Sequence, residues 1–476
     1  MTDLKNDQER GRQLKVAVIG GGPGGLAGAI ELAKLPFVDW KLYEKKAEIS
    51  ETGGGLTIQP QTWKLLERNG AAEHILESDF YRSSDGLIEQ RCNGRTGQLL
   101  LQKPCPKDTP YHRQSGRCAR SKLQTALLRQ VDRRYICVGK KLVGLEQLPD
   151  SRVRLVFADG DEDEVDLVVA ADGIRSVVRK FCFPNHSLTY NGQSVYRAII
   201  SKAKAAAIPG IPWAATFWKH ISGLYVYTCP LGDDDFEVTM RIRRPHQPGQ
   251  PEPVSWGHPF DLHTLLDEYR DFCPPVRQIL ELAAKEGNTQ EYAMFSGTRL
   301  ESAISSGNIA FVGDAAHALL GNFGSGAGFA LEDVYALGRA LEWAWNRRPS
   351  KDQEETPLAQ ALDLFDSIRS PHYQRLYKIL DNFKAIKVNL HAEHRPVDEE
   401  IAERVKRISD ASEEWMYDYD IVQAVDDTLA LLGSGSEVGE CVEVYPNSCY
   451  YFRFVRKFWV YLVLSLTRIL GRSKKT

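Results

Sequence analysis

The sequence predicts an α/β fold in which a parallel, doubly wound domain is interleaved with a β-rich domain and closed by C-terminal helices. Three observations carry this. An apolar strand at Val16–Ile19 runs straight into the glycine turn of VAVIGGGPGGLAGAIELAK. β-rich stretches (Ser194–Ile200, Gly223–Cys229, Phe236–Ile242) then follow one another, with a Pro-rich loop at Pro245–Pro259. Finally, a buried strand at Gly307–Val312 precedes a second glycine-rich turn and a long helix at Phe329–Trp345, which returns the chain to the first domain.

Residues 1–13 are polar, lack the apolar core of a secretory signal, and read as a solvated leader. From Leu14 a βαβ unit is expected, with its second strand ending at Tyr43. Helices follow near Gln61–Arg68 and Ser121–Val131, then strand-like sequence over Leu142–Phe157. Asp159-Gly160 signals a hairpin turn before the apolar strand Val165–Ala171. Beyond the charged run Asp352–Glu355 the pattern is helical and amphipathic from Leu358. The resulting division is 14–186 (first part of the first domain), 187–299 (β-rich domain), 300–346 (return segment), 358–440 (helical closure) and 450–476 (apolar and basic tail).

With 43% hydrophobic and 26% charged residues, the 476-residue chain has core enough for two or three domains. A formal net charge of -3 gives no field that would recruit nucleic acid. The nine cysteines are scattered singly, with no CxxC and no Cys/His cluster. No zinc or other metal site and no disulfide framework is expected, which fits a reducing, cytoplasmic compartment.

Gly20, Gly22 and Gly25 stand at the GxGxxG spacing. The first permits the tight turn, the second lets backbone approach a pyrophosphate, and the third allows helix and strand to pack closely. Glu44, about 24 residues beyond Gly20, sits where an acid reaches a ribose hydroxyl pair. FAD or NAD would both satisfy this turn.

Two later segments choose between them by resemblance. VDLVVAADGIRSVVR (165–179) resembles the Asp-Gly motif of the group A flavoprotein aromatic hydroxylases, and GNIAFVGDAAHALLGNFGSGAGFALEDV (307–334) resembles their Gly-Asp-Ala-Ala-His flavin motif. The likeness is to salicylate hydroxylases and related monooxygenases of fungal natural-product pathways. It implies a Rossmann-type FAD-binding domain interleaved with a β-sheet substrate domain. It further implies that Asp314 lies near the ribityl chain, that the backbone of Gly326 and Ala327 faces the flavin pyrimidine edge, and that Arg120 contacts the cofactor's polar chain. Gly54 and Gly55 match the turn passing over the isoalloxazine, and Asp172 with Gly173 the segment where FAD and nicotinamide regions close together. Two positions depart from the pattern: Gly321 stands where a proline is usual, and Ser325 where a glutamine is common. Structural readings remain open beside these: a helix cap for Asp314, an exposed helix residue for Arg120, a turn residue for Asp172.

The reaction the resemblance implies uses NADPH or NADH to reduce FAD, after which O2 forms a C4a-hydroperoxide that hydroxylates a phenolic or polyketide-like ring in secondary metabolism. A flavin-dependent epoxidase or dehydrogenase on the same fold is the alternative, and a binding protein with a decayed site a third reading. Arg197, in SVYRAII, follows the family's placement of a substrate-holding arginine on the first strand of the sheet. Tyr225 and Tyr227 alternate on one strand face and can donate to a phenolic oxygen or relay its proton. An ion pair for Arg197 and core packing for the tyrosines are the structural alternatives. His317 is expected to be structural.

The tail Tyr450–Leu470 holds the apolar run Phe458–Thr467, which is too short to span a bilayer, since that needs roughly 20 apolar residues. Basic residues from Arg453 to Lys475 flank it, a combination suited to peripheral contact with an anionic membrane or a partner; packing on the protein's own body is the other reading. The expected outcome of the first reading is that the full chain sediments with anionic liposomes at low salt, whereas a chain ending before Tyr450 stays in the supernatant. Full-length protein left in the supernatant assigns the tail to the fold.

Overall fold

The computed structural model describes residues 13–51, 53–247, 249, 253, 257–319, 326–347, 356–412 and 419–433. Its first sheet has six strands in the order Ile304–Ser305, Ile309–Phe311, Leu167–Ala170, Leu14–Ile19, Val38–Glu44, Ile136–Val138, parallel apart from the first edge strand. Such a sheet is apolar on both faces because both are covered. Val16, Val18, Leu167 and Val169 pack under the helices Pro23–Ala33 and Gly326–Asn346. Ala17, Ile19, Val168 and Ala170 pack against a three-stranded sheet made of Leu142–Gln147, Val153–Phe157 and Glu162–Val165.

The apolar run Val165–Ala171 is thus two strands in two sheets. Val165 closes the hairpin that turns at Gly160 (φ +89°), and Leu167 opens the central parallel strand. Between them Asp166 accepts from the backbone N–H of Lys15 at 2.9 Å, a polar break that hydrophobicity alone does not register.

The second sheet has eight strands: His258–Pro259, Gln290–Gly297, Leu188–Ser201, Asp235–Arg243, Tyr225–Pro230, Thr216–Lys219, Leu87–Asn93, Leu99–Pro104. Its last two strands come from within the first stretch of chain, joined through a parallel pairing of Thr216–Lys219 with Leu87–Asn93. One face, carrying Tyr196, Ala198, Trp218, Val226, Val238 and Met240, is buried against the helix Pro274–Glu286 and the segment Leu262–Tyr269. Strand alternation sends Arg197, Glu237, Thr239, Arg241, Tyr225, Tyr227, Phe217 and Lys219 to the opposite, inner face.

The 36-residue helix Pro357–Ala392 closes the molecule. It is capped by Thr356, whose Oγ1 accepts from the N–H of Ala359 at 3.2 Å. Buried charge ties it to the helix Gly326–Asn346. Asp333 Oδ1 accepts from Arg369 Nε at 2.8 Å and from the Tyr373 hydroxyl at 2.6 Å. Its Oδ2 accepts from the N–H of Gly313 at 2.8 Å and pairs with His317 Nε2 at 2.7 Å. Arg369 Nη2 also donates to Glu332 Oε2 at 2.9 Å. Burial opposes ionisation of Asp333, but His317 and Arg369 hold its carboxyl below the ordinary range. At Glu332 burial wins, pushing the carboxyl up to about 7 against the pull of Arg369.

Among the described residues no helix is long and apolar enough to cross a membrane, and the tail 450–476 lies outside them. Glu332 supplies a test of the buried cluster. A folded state that keeps its proton up to about pH 7, against 4.5 for the ordinary group, gains stability below pH 4.5 and loses it as pH rises towards 7. The stability of the native protein minus that of Glu332→Gln is therefore expected to fall from pH 5 to pH 8, by at most about 3 kcal/mol. Thermal melts of both proteins across that range check it, and a pH-independent difference overturns it.

Candidate functional site

Three walls face one another. The first is the glycine turn between the strand Leu14–Ile19 and the helix Pro23–Ala33. Gly20 has φ +109°, and a Cβ there would lie 2.5 Å from the Ala171 carbonyl oxygen. A Cβ on Gly25 would lie 1.9 Å from the Gly20 carbonyl oxygen, so helix and strand touch as only glycine allows. Gly22 differs, because a Cβ there would meet nothing within 4 Å. It caps a helix that has no side-chain cap hydrogen bond, so the first-turn N–H groups are presented to open space. Buried Glu44 locks the turn, accepting from the N–H of Gly21 at 2.7 Å and of Lys46 at 2.9 Å. Each oxygen keeps a further acceptor site for a ligand hydroxyl. Gln124, which sequence reasoning did not single out, donates to the Gly21 carbonyl at 3.1 Å.

The second wall is the turn Gly313–Ala315. Asp314 is open to solvent on one side and walled by protein on the others; this desolvation raises its carboxyl against the fields of His317, Arg120 and Arg179. It caps no helix, and its side chain makes no hydrogen bond among the described residues. Buried Arg179 holds the turn from behind, its Nη1 donating to the carbonyls of Asp314 at 3.1 Å and Ala315 at 2.8 Å. Asp172 acts as a structural cap, with Oδ2 accepting from the N–H groups of Val177 (2.7 Å) and Val178 (3.2 Å) while its buried Oδ1 stays unpartnered. Gly326 opens the helix Gly326–Asn346, and a Cβ there would again meet nothing within 4 Å; half-buried Ala327 follows it. Gly321 and Ser325 lie outside the described residues.

The third wall is the inner face of the eight-stranded sheet, against which the Gly53–Gly55 turn is laid. A Cβ on Gly54 would lie 2.6 Å from Glu237 Oε1 and 2.9 Å from Arg197 Cδ, and one on Gly55 would lie 2.8 Å from Arg117 Nε. Fully buried Glu237 is the centre of this contact. Its Oε1 accepts from the N–H of Gly55 and from Thr239 Oγ1, both at 3.1 Å, and its Oε2 accepts from Arg117 Nε at 3.1 Å. Against burial, Arg117 and Arg197 keep it ionised. Sequence reasoning missed it, although an acid between Phe236 and Val238 on the strand Asp235–Arg243 is a visible signal.

The Arg197 side chain makes no ion pair and no hydrogen bond among the described residues. Its Nε is buried and unpartnered, and its guanidinium stands 5.4 Å from the centroid of the Tyr292 ring. Burial lowers its pKa against the opposing field of Glu237. Tyr227 is buried between Phe217, at 4.6 Å between centroids, and the Arg117 guanidinium at 5.1 Å. Tyr225 is half-buried one step further along the same strand face, 5.7 Å from Phe217. Arg120 joins this wall to the second: its N–H donates to the Gly54 carbonyl at 3.3 Å, its Nη2 reaches Glu51 at 3.4 Å, and its Nε is buried without a partner.

The expected site residues therefore converge in two groups, Gly20–Gly25 with Glu44 at one end and Gly54, Gly55, Arg120, Arg197 and Tyr227 at the other, with Asp314 facing Arg120. Comparison with known proteins identifies the family. The family model described as FAD binding domain matches residues 13–354. The 2-heptyl-3-hydroxy-4(1H)-quinolone synthase of Pseudomonas aeruginosa is 28% identical over 371 residues, 77% of this chain and 87% of that protein. An FAD-dependent monooxygenase of Hypocrea jecorina is 24% identical over 472 residues, covering 90% of this chain and 97% of the relative. A salicylate hydroxylase solved with its substrate shares the fold at a TM-score of 0.70 and 20% identity, over 87% of this chain and 98% of that one. The chain thus belongs to the FAD binding domain family and is an FAD-dependent monooxygenase.

Proposed function

We propose that the protein uses NAD(P)H and O2 to hydroxylate a phenolic or polyketide-like ring held on the inner face of the eight-stranded sheet, in a natural-product pathway. The observation that carries this is Arg197, a cation without a carboxylate partner, placed beside the Gly54–Gly55 turn. The names of the relatives support an oxygenated ring as the substrate class, since one forms a 3-hydroxy-4-quinolone.

The residues present fit FAD. Gly22 leaves room for a pyrophosphate at a helix N-terminus, Glu44 has acceptor sites for a ribose, Asp314 offers an accessible carboxylate for a polyol, and Arg120 has an unused buried N–H. Gly326 and Ala327 present first-turn N–H groups where negative charge is stabilised. When bound, FAD passes electrons from the nicotinamide to O2 and delivers one oxygen atom to the ring.

The chain's own residues prepare the substrate for that delivery. Arg197 binds the substrate oxygen by a charge-assisted hydrogen bond and favours its phenolate, which makes the ring electron-rich. Glu237 keeps Arg197 charged inside the protein by facing it without pairing with it. Burial holds the Tyr227 hydroxyl well above its ordinary range, so Tyr227 keeps its proton and orients the substrate oxygen as a donor. Tyr225, closer to solvent, is placed to carry a proton between the substrate oxygen and water. Stimulation of NADPH or NADH oxidation by a panel of phenols, with product mass raised by one oxygen drawn from labelled O2, tests the reading. Oxidation with no oxygen incorporated overturns it.

Two sets of variants follow. Arg197→Ala is expected to keep its FAD while kcat/KM for the phenol falls roughly 30-fold or more, the loss of about 2 to 5 kcal/mol typical for a truncated buried charge contact. Steady-state kinetics check this, and unchanged kcat/KM makes Arg197 structural. Gly22→Ala is expected to melt like the native apoprotein yet bind FAD at least about tenfold more weakly, because the added methyl occupies only the ligand's space. Gly25→Ala, whose Cβ would meet backbone at 1.9 Å, is expected to lose about 3 kcal/mol of stability without FAD. Equal effects of the two on the apoprotein would place Gly22 in the packing.

A further inference from the structure

On the inner face of the eight-stranded sheet the register lines up Arg197, Thr239, Tyr227 and Phe217 in one row across four strands. The next row on the same face is Val195, Arg241, Tyr225 and Lys219. Arg197 and Lys219 therefore stand at opposite ends of one surface, about 15 Å apart along the backbone grid, with the aromatic rings of Tyr227, Tyr225 and Phe217 between them.

Lys219 is half-buried, with its ammonium 4.2 Å from the Phe217 ring centroid and 4.6 Å from that of Tyr225. Among the described residues its ammonium makes no ion pair and no hydrogen bond. The charged groups facing it are mostly cations: Arg91 from the strand Leu87–Asn93, Arg241 from Asp235–Arg243, and Lys387 from the closing helix. An acid nearby, Glu89, is taken by Arg91 at 2.6 Å. Arg241 is held by a neutral acceptor, its Nε donating to Gln193 Oε1 at 3.0 Å. Burial, and then Arg91, drive the Lys219 amine well below its ordinary range. A cation in such a place costs free energy until an anion shares the site.

We propose that Lys219, with Arg241 and Lys387 behind it, binds a carboxylate of the substrate, so that the substrate is an elongated aromatic acid with its reacting phenol at Arg197 and its acid group at Lys219. This rests on the function proposed above. Arg197 and Lys219 share one face of one sheet with an aromatic floor between them, which fits a single flat molecule better than two separate ligands. The other source of an anion is the 2'-phosphate of NADPH, and the test separates the two.

The experiment is calorimetric titration of the FAD-loaded protein with 4'-hydroxybiphenyl-4-carboxylate, its carboxamide, salicylate, and adenosine 2',5'-bisphosphate. The native protein is expected to bind the long acid at least about tenfold more tightly than the amide. Lys219→Met should abolish that preference, leave amide and salicylate affinities within about twofold, and keep FAD content and melting temperature; Lys219→Arg should restore it. Equal binding of acid and amide by the native protein overturns the assignment of Lys219 while leaving the phenol site intact. Loss of bisphosphate binding in Lys219→Met, with the long acid unaffected, transfers the site to the nicotinamide cofactor. Failure of every phenol to bind removes the functional reading and this inference with it.

Discussion

Asp333 accepts or shares hydrogen bonds with four groups from two other parts of the chain: the backbone of Gly313 and the ring of His317, and the side chains of Arg369 and Tyr373. It lies in the first turns of the helix that Gly326 opens, so one buried carboxylate fixes the turn bearing Asp314, orients that helix and fastens the closing helix over both. A buried charge is tolerable when every lone pair is used and a cation faces it, and both conditions hold here, with Arg369 as the cation. Its neighbour Glu332 shows the contrast. It shares the same arginine, has fewer donors, and keeps its proton to about pH 7.

Glu237 plays the corresponding part on the sheet side, with an asymmetry between its two arginines. Arg117 pairs with it directly, whereas Arg197 feels its field without touching it. The backbone of Gly54 and Gly55 is pressed so closely against this group that no side chain fits between. The Gly53–Gly55 turn and Arg197 are thereby both set against one acid.

Local features were readable in the sequence. The spacing of Gly20, Gly22 and Gly25 after an apolar strand announces a strand, turn and helix because each glycine answers a short-range steric demand, and the structure shows two of those demands as would-be clashes below 3 Å. Alternation in Asp235–Arg243 and Tyr225–Pro230 was equally visible, since a two-residue period survives in sequence. Long-range pairings were not. Nothing near Leu87–Asn93 says that it will join Thr216–Lys219, because parallel pairing carries no turn to mark it. Asp172 sat in a motif, and its place in the chain could not tell a cap from a ligand; two backbone N–H groups settle what its Oδ2 does. Glu237 and Asp333 went unread because their value lies in partners 120 and 36 residues away.

The two large sheets are braided through the chain. The six-stranded sheet needs Ile309–Phe311 beside Leu167–Ala170, and the eight-stranded sheet needs Leu87–Asn93 beside Thr216–Lys219. A nascent chain that has emerged only to residue 200 owns strands of both sheets and can finish neither. Apolar strand edges are therefore left waiting until the return segment leaves the ribosome, at about 5 to 20 residues per second a delay of several seconds or more. Synthesis of this protein thus carries an interval of vulnerability to aggregation that a chain of the same length with successive, self-contained domains would escape.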